Sequence, residues 1–241
     1  MDKLNPPCGC RNALDPEWGV LKSISKCDKH RAKAGRGGLD YYRDMHALDS
    51  NGIPRHKFYV EELKEALGNG DLFKPHYAKG GGTLIQPKLL EIGAGLGMYC
   101  PMALKEMYAY WAVEPDTEAA AWIRGCFDVV VYSGTFEDYH RAYYSHSIGF
   151  EMIIAAHVLE HLKEGPAALR KMFDLLSPHS SRLVLIVPDD SDPINPDHLW
   201  LFTPENLKSS LERTGFIDIK IEVRRRVKHE NFIYAIARKP S

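Results

Sequence analysis

The stretch that decides the fold is LLEIGAGLGMY, Leu89 to Tyr99. An apolar run leads directly into three glycines, which recur at every second position. Glycine lets the chain turn tightly and lets a ligand approach the main chain. A helix that begins after such a turn adds unbonded N–H groups and the positive end of its dipole. A strand, a glycine turn and a helix in this order indicate an α/β protein that binds a nucleotide-like ligand.

The glycine spacing itself is informative. It is G-x-G-x-G rather than the G-x-G-x-x-G of dinucleotide-binding proteins. The next apolar run, YWAVE, ends in Glu114, an acid about 20 residues after the glycines, where a carboxylate suits the two vicinal hydroxyls of a ribose. The alternative for Glu114 is an exposed carboxylate at a strand end.

Short apolar runs alternate with helical patterns from Lys88 onward. The runs are KLLEI, YWAVE, DVVVYSG, FEMIIAAHV, RLVLIVP, IDIKIEV and NFIYAIA. Helices fit between the first five, which predicts a parallel sheet with helices on both faces. Only RRRVKHE separates the last two runs, so these predict an antiparallel hairpin at one edge of the sheet. The fold class is therefore α/β and Rossmann-like, with a mostly parallel sheet and a terminal antiparallel hairpin.

Capping residues predict two of the helices. Asp116 precedes TEAAAWIRG, in which Gly125 is the expected end. Thr203 precedes Pro204, and Gly215 is the expected end of that second helix.

Composition limits the classes of protein to consider. The chain has 241 residues, 44% of them hydrophobic, which is enough for a core, and its formal net charge of −1 leaves any basic patch local. No apolar run is long enough for a transmembrane helix, and MDKLNPPCGC lacks the apolar core of a signal peptide. We therefore expect a cytoplasmic protein without a membrane partner.

Six segments in order carry a family resemblance. They are LLEIGAGLG, WAVEPD, YSGTFED, FEMIIAAHVLEHL, RLVLIVPDD and DHLWLFTPENLKSSLERTGF. From about Lys88 to Lys239 the chain resembles the class I S-adenosylmethionine-dependent methyltransferases. The resemblance implies a seven-stranded sheet with a reversed terminal hairpin and S-adenosyl-L-methionine as cofactor. The alternatives are tight glycine turns in another doubly wound fold, such as a nicotinamide-dependent oxidoreductase.

The resemblance also implies a set of cofactor-binding positions. Around the methionine part of the cofactor it places Glu91, Gly93, Ala94, Gly95 and Gly97. It places Glu114 at the ribose and, at the adenine, Pro115, Asp116, Thr135 and Phe136. Near the sulfonium it places Ala156, His157 and Val158. Many relatives have an aspartate in the loop after the third strand, where this chain has Glu137 and Asp138 nearby.

The segment AAHVLEHL after the fourth strand bears on the methyl acceptor. It contains neither N/D-P-P-Y nor a Pro-Cys pair, which argues against exocyclic base amines and cytosine C5 as acceptors. The VLEHL form resembles methyltransferases that act on hydroxyls or amines of small molecules, quinones and glycans. DHLWLFT resembles those that act on sugars and natural products. The expected acceptor is therefore a hydroxyl or amine on a small-molecule or sugar-like metabolite.

Four residues are candidates for catalysis: His157, Glu160, His161 and His198. The first three lie within one helical turn, and His157 is the first choice as base because an imidazole titrates near neutral pH. RNA 3′-end 2′-O-methyltransferases resemble this group, since they hold a divalent ion with a Glu-His pair and a downstream histidine, but they have a carboxylate where His157 stands. The alternatives are a metal site and a simple helix-capping role for Glu160 and His161.

The first 80 residues contain a second candidate site. Three thiols and one imidazole suit a closed tetrahedral zinc shell: Cys8, Cys10, Cys27 and His30. The alternative is a flexible arm with incidental cysteines. The two other cysteines, Cys100 and Cys126, lie in apolar helical context and are expected to be small buried hydrophobes.

The division that follows is an N-terminal segment, 1–80, before a methyltransferase domain, 81–241. DYYRDMHAL and KFYVEELKEALG are expected to be amphipathic helices covering the acceptor, with lid candidates Tyr41, Tyr42, His46, His56 and Tyr59. Two basic patches, one of Lys29, Arg31, Lys33 and Arg36 and the other of Arg224, Arg225, Arg226 and Lys228, are either solvated faces or phosphate-binding surfaces. The alternatives to a small-molecule enzyme are thus a nucleic-acid methyltransferase and a protein that binds the cofactor without chemistry.

Overall fold

The structure is a computed structural model that describes residues 11–14, 17–18, 21–25, 63, 86–143, 149–178, 181–190, 198–225 and 231–241. The four candidate zinc ligands and the lid candidates lie outside the described residues, so both predictions stay predictions. Of the predicted helix KFYVEELKEALG only Leu63 is described, and it is helical and fully buried. Within these ranges no helix is long and apolar enough to cross a membrane.

Seven strands form the main sheet. They are β3 (Lys88–Ile92), β4 (Ala109–Glu114), β5 (Val130–Ser133), β6 (Met152–Ala156), β7 (Arg182–Pro188), β9 (Ile217–Arg225) and β10 (Asn231–Arg238). Their order across the sheet is β5-β4-β3-β6-β7-β10-β9. The first five are parallel, and β10 runs antiparallel to both β7 and β9. This confirms the predicted mixed sheet with a reversed terminal hairpin.

Helices connect the parallel strands. They are α1 (Cys100–Lys105), α2 (Thr117–Phe127), α3 (Phe136–Tyr143), α4 (Ala168–Leu175) and α5 (Pro204–Thr214), with one 3₁₀ turn at Gly165–Ala167. Residues on β3 alternate between two apolar clusters, with Leu90 and Ile92 in one and Leu89 in the other. Because successive side chains of a strand point to opposite faces, this alternation shows that the sheet is buried on both sides.

Helix α5 has both of its predicted ends. The Thr203 hydroxyl accepts from Asn206 N–H, Pro204 is the first helical residue, and Gly215 ends the helix with φ 105°. Helix α2 begins as predicted, with the Asp116 side chain accepting from two backbone N–H groups, but its predicted end is wrong. The helix continues through Gly125 to Phe127, and Asp128 takes the left-handed conformation instead.

Cys126 corrects another expectation, because its side chain is exposed whereas Cys100 is buried. Helix α2 extends past Gly125, so Cys126 lies in its last turn, where residues 124–126 are all exposed.

A second, three-stranded sheet was not predicted. It joins β1 (Arg11–Leu14), β2 (Leu21–Ser25) and β8 (Trp200–Leu201), all antiparallel, in that order. Strand β8 lies directly before α5. Through the pairing of β2 with β8, part of the N-terminal segment joins a strand from the second half of the chain. The predicted division at residue 80 stays a prediction, but strand pairing crosses it.

Candidate functional site

The glycine turn after β3 has the backbone that only glycine adopts readily. Gly93, Gly95 and Gly97 have φ of 67°, 56° and 77°. Gly93 N–H donates to Val113 O at 2.8 Å, which ties the turn to the end of β4. A Cβ at Gly93 would lie 2.3 Å from Val158 Cγ2. The turn after β6 therefore packs directly against the glycine turn.

Glu114, at the end of β4, is bonded to the same turn. Its Oε2 accepts from Gly95 N–H at 2.7 Å, and its Oε1 accepts from Asp116 N–H at 2.9 Å. The residue is only 1% exposed, so it is not the solvated strand-end carboxylate of the alternative interpretation. These two amides fix the position of the Glu114 carboxylate beside the glycine turn.

Glu91 is a second buried acid beside the turn. Tyr110 O–H donates to Glu91 Oε2 at 2.5 Å, and Tyr99 N–H donates to the same oxygen at 3.3 Å. Burial raises the pKa of Glu91 to about 8, more than these hydrogen bonds lower it. At neutral pH the side chain is therefore mostly protonated in the protein without ligand.

The residues expected near the adenine have structural roles in this protein. The Asp116 carboxylate caps α2 through Glu118 N–H and Ala119 N–H. The Thr135 hydroxyl accepts from Asp138 N–H and donates to its carboxylate at the start of α3. Phe136 is 2% exposed and packs in the core, while Pro115 is exposed. Their contact with adenine stays a prediction.

His157 directly follows β6, the central strand of the sheet. It has φ 57°, an unusual value for a side chain of this size, and its N–H donates to Ile186 O on β7. The imidazole packs edge-on against Phe232, with ring centroids 4.8 Å apart, and is 30% exposed. Its Nδ1 lies 3.7 Å from Glu160 Oε1.

The Glu160 side chain is completely buried between imidazoles. His161 Nε2 lies 3.8 Å from Glu160 Oε1. One potential metal-ligand atom from each of Glu160, His161 and His198, a carboxylate oxygen or a ring nitrogen, lies within 4.8 Å of the other two. Neither carboxylate oxygen has a hydrogen-bond partner among the described residues. Burial alone would raise the pKa of Glu160, but His157, His161 and His198 hold it below its ordinary value. The structure thus brings together all four predicted catalytic residues.

Asp190 belongs to the same group, and the sequence analysis missed it. Its Oδ1 lies 2.9 Å from His198 Nδ1, and its Oδ2 accepts from Phe202 N–H at 3.4 Å. Burial raises the pKa of Asp190 more than the hydrogen bond with His198 lowers it. The signal in the sequence was the acidic pair that ends RLVLIVPDD, at the carboxyl end of a buried strand as Glu114 is.

The sequence matches the family described as "Methyltransferase domain" over residues 54–221, which is more than half of the chain. The chain belongs to this methyltransferase family. The match begins before the described part of the sheet and ends on β9, so it includes the glycine turn and all of the buried acids.

Solved structures agree with this methyltransferase fold at low identity. A SAM-dependent methyltransferase from Archaeoglobus fulgidus is 17% identical, with 75% of this chain and 100% of that chain covered and a TM-score of 0.55. Phospholethanolamine N-methyltransferase 2 of Haemonchus contortus, solved with S-adenosylhomocysteine, is 13% identical over 92% of this chain and 62% of that chain, with a TM-score of 0.59. The cyclase SpnF is 14% identical over 80% and 84%, with a TM-score of 0.54. No curated protein matches the sequence significantly.

The family and the fold together identify a class I S-adenosylmethionine-dependent methyltransferase and confirm the resemblance found in the sequence. The residues at the carboxyl ends of β3 and β4 suit that cofactor: a left-handed glycine turn and a carboxylate held by two backbone amides. The acceptor differs among proteins of this fold, so it has to be argued from the chemistry of the site.

Proposed function

We propose that this methyltransferase transfers a methyl group to a hydroxyl or amine of a small-molecule or sugar-like acceptor. The observation that carries the proposal is the contact between two turns. Val158 packs against Gly93 of the glycine turn, and His157 is the residue directly before Val158 in the sequence, at the carboxyl edge of the sheet. When bound, S-adenosylmethionine supplies the methyl group on its sulfonium.

Glu91, Glu114 and the glycine turn would hold the cofactor. Glu114 is fixed by two backbone amides, which suits a carboxylate that accepts hydrogen bonds from ribose hydroxyls. Glu91 accepts a hydrogen bond from Tyr99 N–H, just after this turn, and its pKa is about 8, so an ammonium group close to it would favour its ionised form. Ala94 and Ala156, both small, complete this set of cofactor residues, with the adenine assigned to Pro115, Asp116, Thr135 and Phe136.

His157 would act as the general base. A hydroxyl that gains a methyl must lose its proton, and a neutral amine loses one after transfer, so both acceptors need a group that takes a proton. The carboxylate of Glu160, 3.7 Å from Nδ1, would stabilise the imidazolium that forms. His161 and His198 surround the same carboxylate and complete the proposed catalytic group.

A structural zinc ion held by Cys8, Cys10, Cys27 and His30 is a separate proposal, supported by the chemistry of the four side chains alone. Elemental analysis of the purified protein and of a Cys8→Ser/Cys10→Ser variant tests it. Loss of one equivalent of zinc in the variant is expected, and equal zinc content in both proteins would remove the proposal.

Cofactor binding is the first experiment. Calorimetric titration with S-adenosylmethionine and S-adenosylhomocysteine should show binding, and NAD should show none. Glu114→Ala should weaken binding by at least about tenfold, because it removes a charge-assisted hydrogen bond worth roughly 1.5–3 kcal/mol. The control is Glu118→Ala, an acid in the first turn of α2 with no such bond to the turn. Absence of binding to the folded protein would refute the proposal.

Turnover is the second experiment, measured as release of S-adenosylhomocysteine with a panel of small hydroxyl and amine compounds that includes phosphomonomethylethanolamine. RNA with an exposed 2′-hydroxyl serves as the contrasting acceptor. His157→Ala should keep cofactor affinity and lose turnover. Turnover on RNA alone, falling steeply with salt, would favour the nucleic-acid alternative.

A protein that binds the cofactor without transferring its methyl group is the second candidate. It is favoured by the presence of a cyclase among proteins of the same fold. Cofactor binding without S-adenosylhomocysteine release on any acceptor class would support this candidate and reject methyl transfer.

A further inference from the structure

We propose that Glu160, His161 and His198 form a binding site for a divalent first-row transition ion, with Asp190 as the residue that positions His198. Two imidazoles and one carboxylate are a donor set for ions from Mn²⁺ to Zn²⁺, whereas Mg²⁺ and Ca²⁺ prefer oxygen ligands. The site goes beyond the proposed function, because ion binding by these residues does not depend on methyl transfer.

The buried carboxylate is the first argument. The Glu160 side chain has no exposed surface and, among the described residues, no hydrogen-bond donor to either oxygen. The three imidazoles around Glu160 favour its charge, but within the described part of the chain they leave its oxygens without a hydrogen bond, and buried carboxylates are normally hydrogen-bonded or coordinate metals. The nearest cationic candidates, His157 Nδ1 and His161 Nε2, lie 3.7 and 3.8 Å away, beyond hydrogen-bonding distance.

The size of the cluster is the second argument. Donor atoms that lie within 4.8 Å of one another enclose a point roughly 2.8 Å or less from each, and ordinary metal–nitrogen and metal–oxygen bonds are about 2.0–2.2 Å. If side-chain rotation moved each of the three ligand atoms less than an ångström toward this point, all three would be at bonding distance from an ion.

Asp190 supplies the third argument. Its Oδ1 lies 2.9 Å from His198 Nδ1, so an ionised Asp190 accepts the Nδ1 proton and the lone pair of the ring resides on Nε2. A carboxylate that orients a ligating histidine in this way is the usual partner of a metal-binding imidazole. When both are ionised, Glu160 and Asp190 together supply two negative charges beside a divalent ion.

The backbone holds the two ligand segments against each other. Glu160 O accepts from Leu199 N–H at 2.8 Å and from Trp200 N–H at 3.1 Å. Trp200 Nε1–H donates to Leu162 O at 2.9 Å, which adds a third bond between the same two segments. These bonds fix His198 beside Glu160 and His161 although the two segments are far apart in the sequence.

The arrangement leaves coordination positions for further ligands. Three protein donors are the usual number in a site that also takes water or a substrate. The His161 side chain is 40% exposed, so the cluster is accessible from solvent. The step from a metal site to an ion that binds an acceptor oxygen rests on the proposed function, and it favours a hydroxyl over an amine acceptor.

Titration of chelator-treated, full-length protein with Co²⁺, followed by visible absorption, tests the site. Ligation by nitrogen and oxygen gives weak d–d bands without the near-ultraviolet thiolate charge-transfer band that cysteines produce, so the proposed zinc site is distinguished in the same spectrum. We expect one such Co²⁺ per chain, displaced by Zn²⁺.

The variants separate ligation from packing. His161→Ala and His198→Ala should weaken Co²⁺ binding on the order of 100-fold or more, and Asp190→Asn by about 10–100-fold. His161 is the safer ligand to remove, because it is exposed while His198 is 5% exposed. The matched control is His140→Ala, a histidine of α3 outside the cluster, which should bind Co²⁺ as the unaltered protein does.

The outcomes are distinguishable from failure of the proposed function, because S-adenosylhomocysteine binding is measured separately on the same samples. A folded protein that binds S-adenosylhomocysteine but shows no thiolate-free Co²⁺ spectrum would overturn the metal site alone. Co²⁺ binding that is unchanged in both histidine variants would overturn it as well. Co²⁺ binding in a protein that does not bind S-adenosylhomocysteine would leave the metal site standing and reject the proposed function.

Discussion

At the scale of single residues, the molecule concentrates buried acids at one edge of its sheet. Among the described residues the buried acids are Glu91, Glu114, Glu160 and Asp190. They lie at or shortly after the carboxyl ends of β3, β4, β6 and β7, which are neighbours in the order β4-β3-β6-β7. Each has different neighbours. Glu91 accepts from a phenol, and Glu114 accepts from two backbone amides. Glu160 lies among imidazoles, and Asp190 contacts one imidazole and one amide. Burial of four carboxyl groups is unfavourable for stability, and such clusters mark functional sites.

Glu91 should make stability depend on pH. Its pKa of about 8 in the folded protein lies above the ordinary 4.5, so the folded state holds a proton that the unfolded state has lost between these values. Its contribution to stability is therefore complete below about pH 4.5 and is lost as pH rises toward 8, with a slope of at most roughly 1.4 kcal/mol per pH unit. Glu91→Gln should remove this part of the slope.

Urea unfolding of the unaltered and Glu91→Gln proteins from pH 5 to 9 measures the difference. Glu137→Gln, an acid on α3, serves as the control and should keep the original slope. Parallel stability curves for the unaltered and Glu91→Gln proteins would show that Glu91 titrates normally.

His157 provides the second prediction at this scale. Its φ of 57° is unfavourable for a residue with a Cβ but not for glycine. His157→Gly should therefore be more stable than His157→Ala by about 1 kcal/mol, although both variants lose the imidazole. Thermal unfolding of the two variants measures it.

A helical position gives the matched comparison. At Lys208, in the interior of α5 and largely exposed, the order should be reversed, with alanine about 1 kcal/mol more stable than glycine. The same order at positions 157 and 208 would contradict the strained backbone at His157.

At the scale of elements, helix α2 shows how a local signal is overruled. Gly125 was the expected end, but the helix runs on to Phe127 and ends where Asp128 has φ 50°. A Cβ at Gly125 would meet nothing within 4 Å. Glycine in a helix interior costs about 0.5–1 kcal/mol relative to alanine, and here no contact requires it.

Gly125→Ala should therefore stabilise the protein by about 0.5–1 kcal/mol. Gly97→Ala is the matched control. Gly97 has φ 77°, which is unfavourable for alanine, so this change should destabilise the protein. Chemical denaturation measures both. Destabilisation by Gly125→Ala would indicate that the helix ends at residue 125 after all.

The strands of the main sheet could be predicted because each signal lies within its own segment. RLVLIVP coincides with β7, and KLLEI coincides with β3. Residue types and spacing made His157, Glu160, His161 and His198 candidates, and the structure shows that they are neighbours. Asp190 and the three-stranded sheet depend on contacts between distant segments, and the two-residue β8 is too short for any periodicity. Local patterns carry no information about such pairings.

At the scale of the whole molecule, Trp200 joins the two sheets to the proposed metal site. On β8 it pairs with Lys22 of β2, and its N–H donates to Glu160 O. Its indole packs on Gly165, where a Cβ would lie 2.0 Å from Trp200 Cε2. Trp200 therefore belongs to the three-stranded sheet and also lies two residues after His198, a proposed metal ligand.

Trp200→Phe should weaken this junction while leaving the main sheet intact. Phenylalanine keeps an aromatic ring against Gly165 but loses the hydrogen bond from Nε1 to Leu162 O, worth about 1 kcal/mol. Hydrogen exchange should show lower protection of the amides in β2 than in the unaltered protein, with β3 unchanged. Trp122→Phe, at an exposed position on α2, is the control and should leave both strands as they are. Equal loss of protection in β2 and β3 would mean that the two sheets unfold as one unit, and then the junction at Trp200 would stabilise the whole molecule rather than the N-terminal sheet alone.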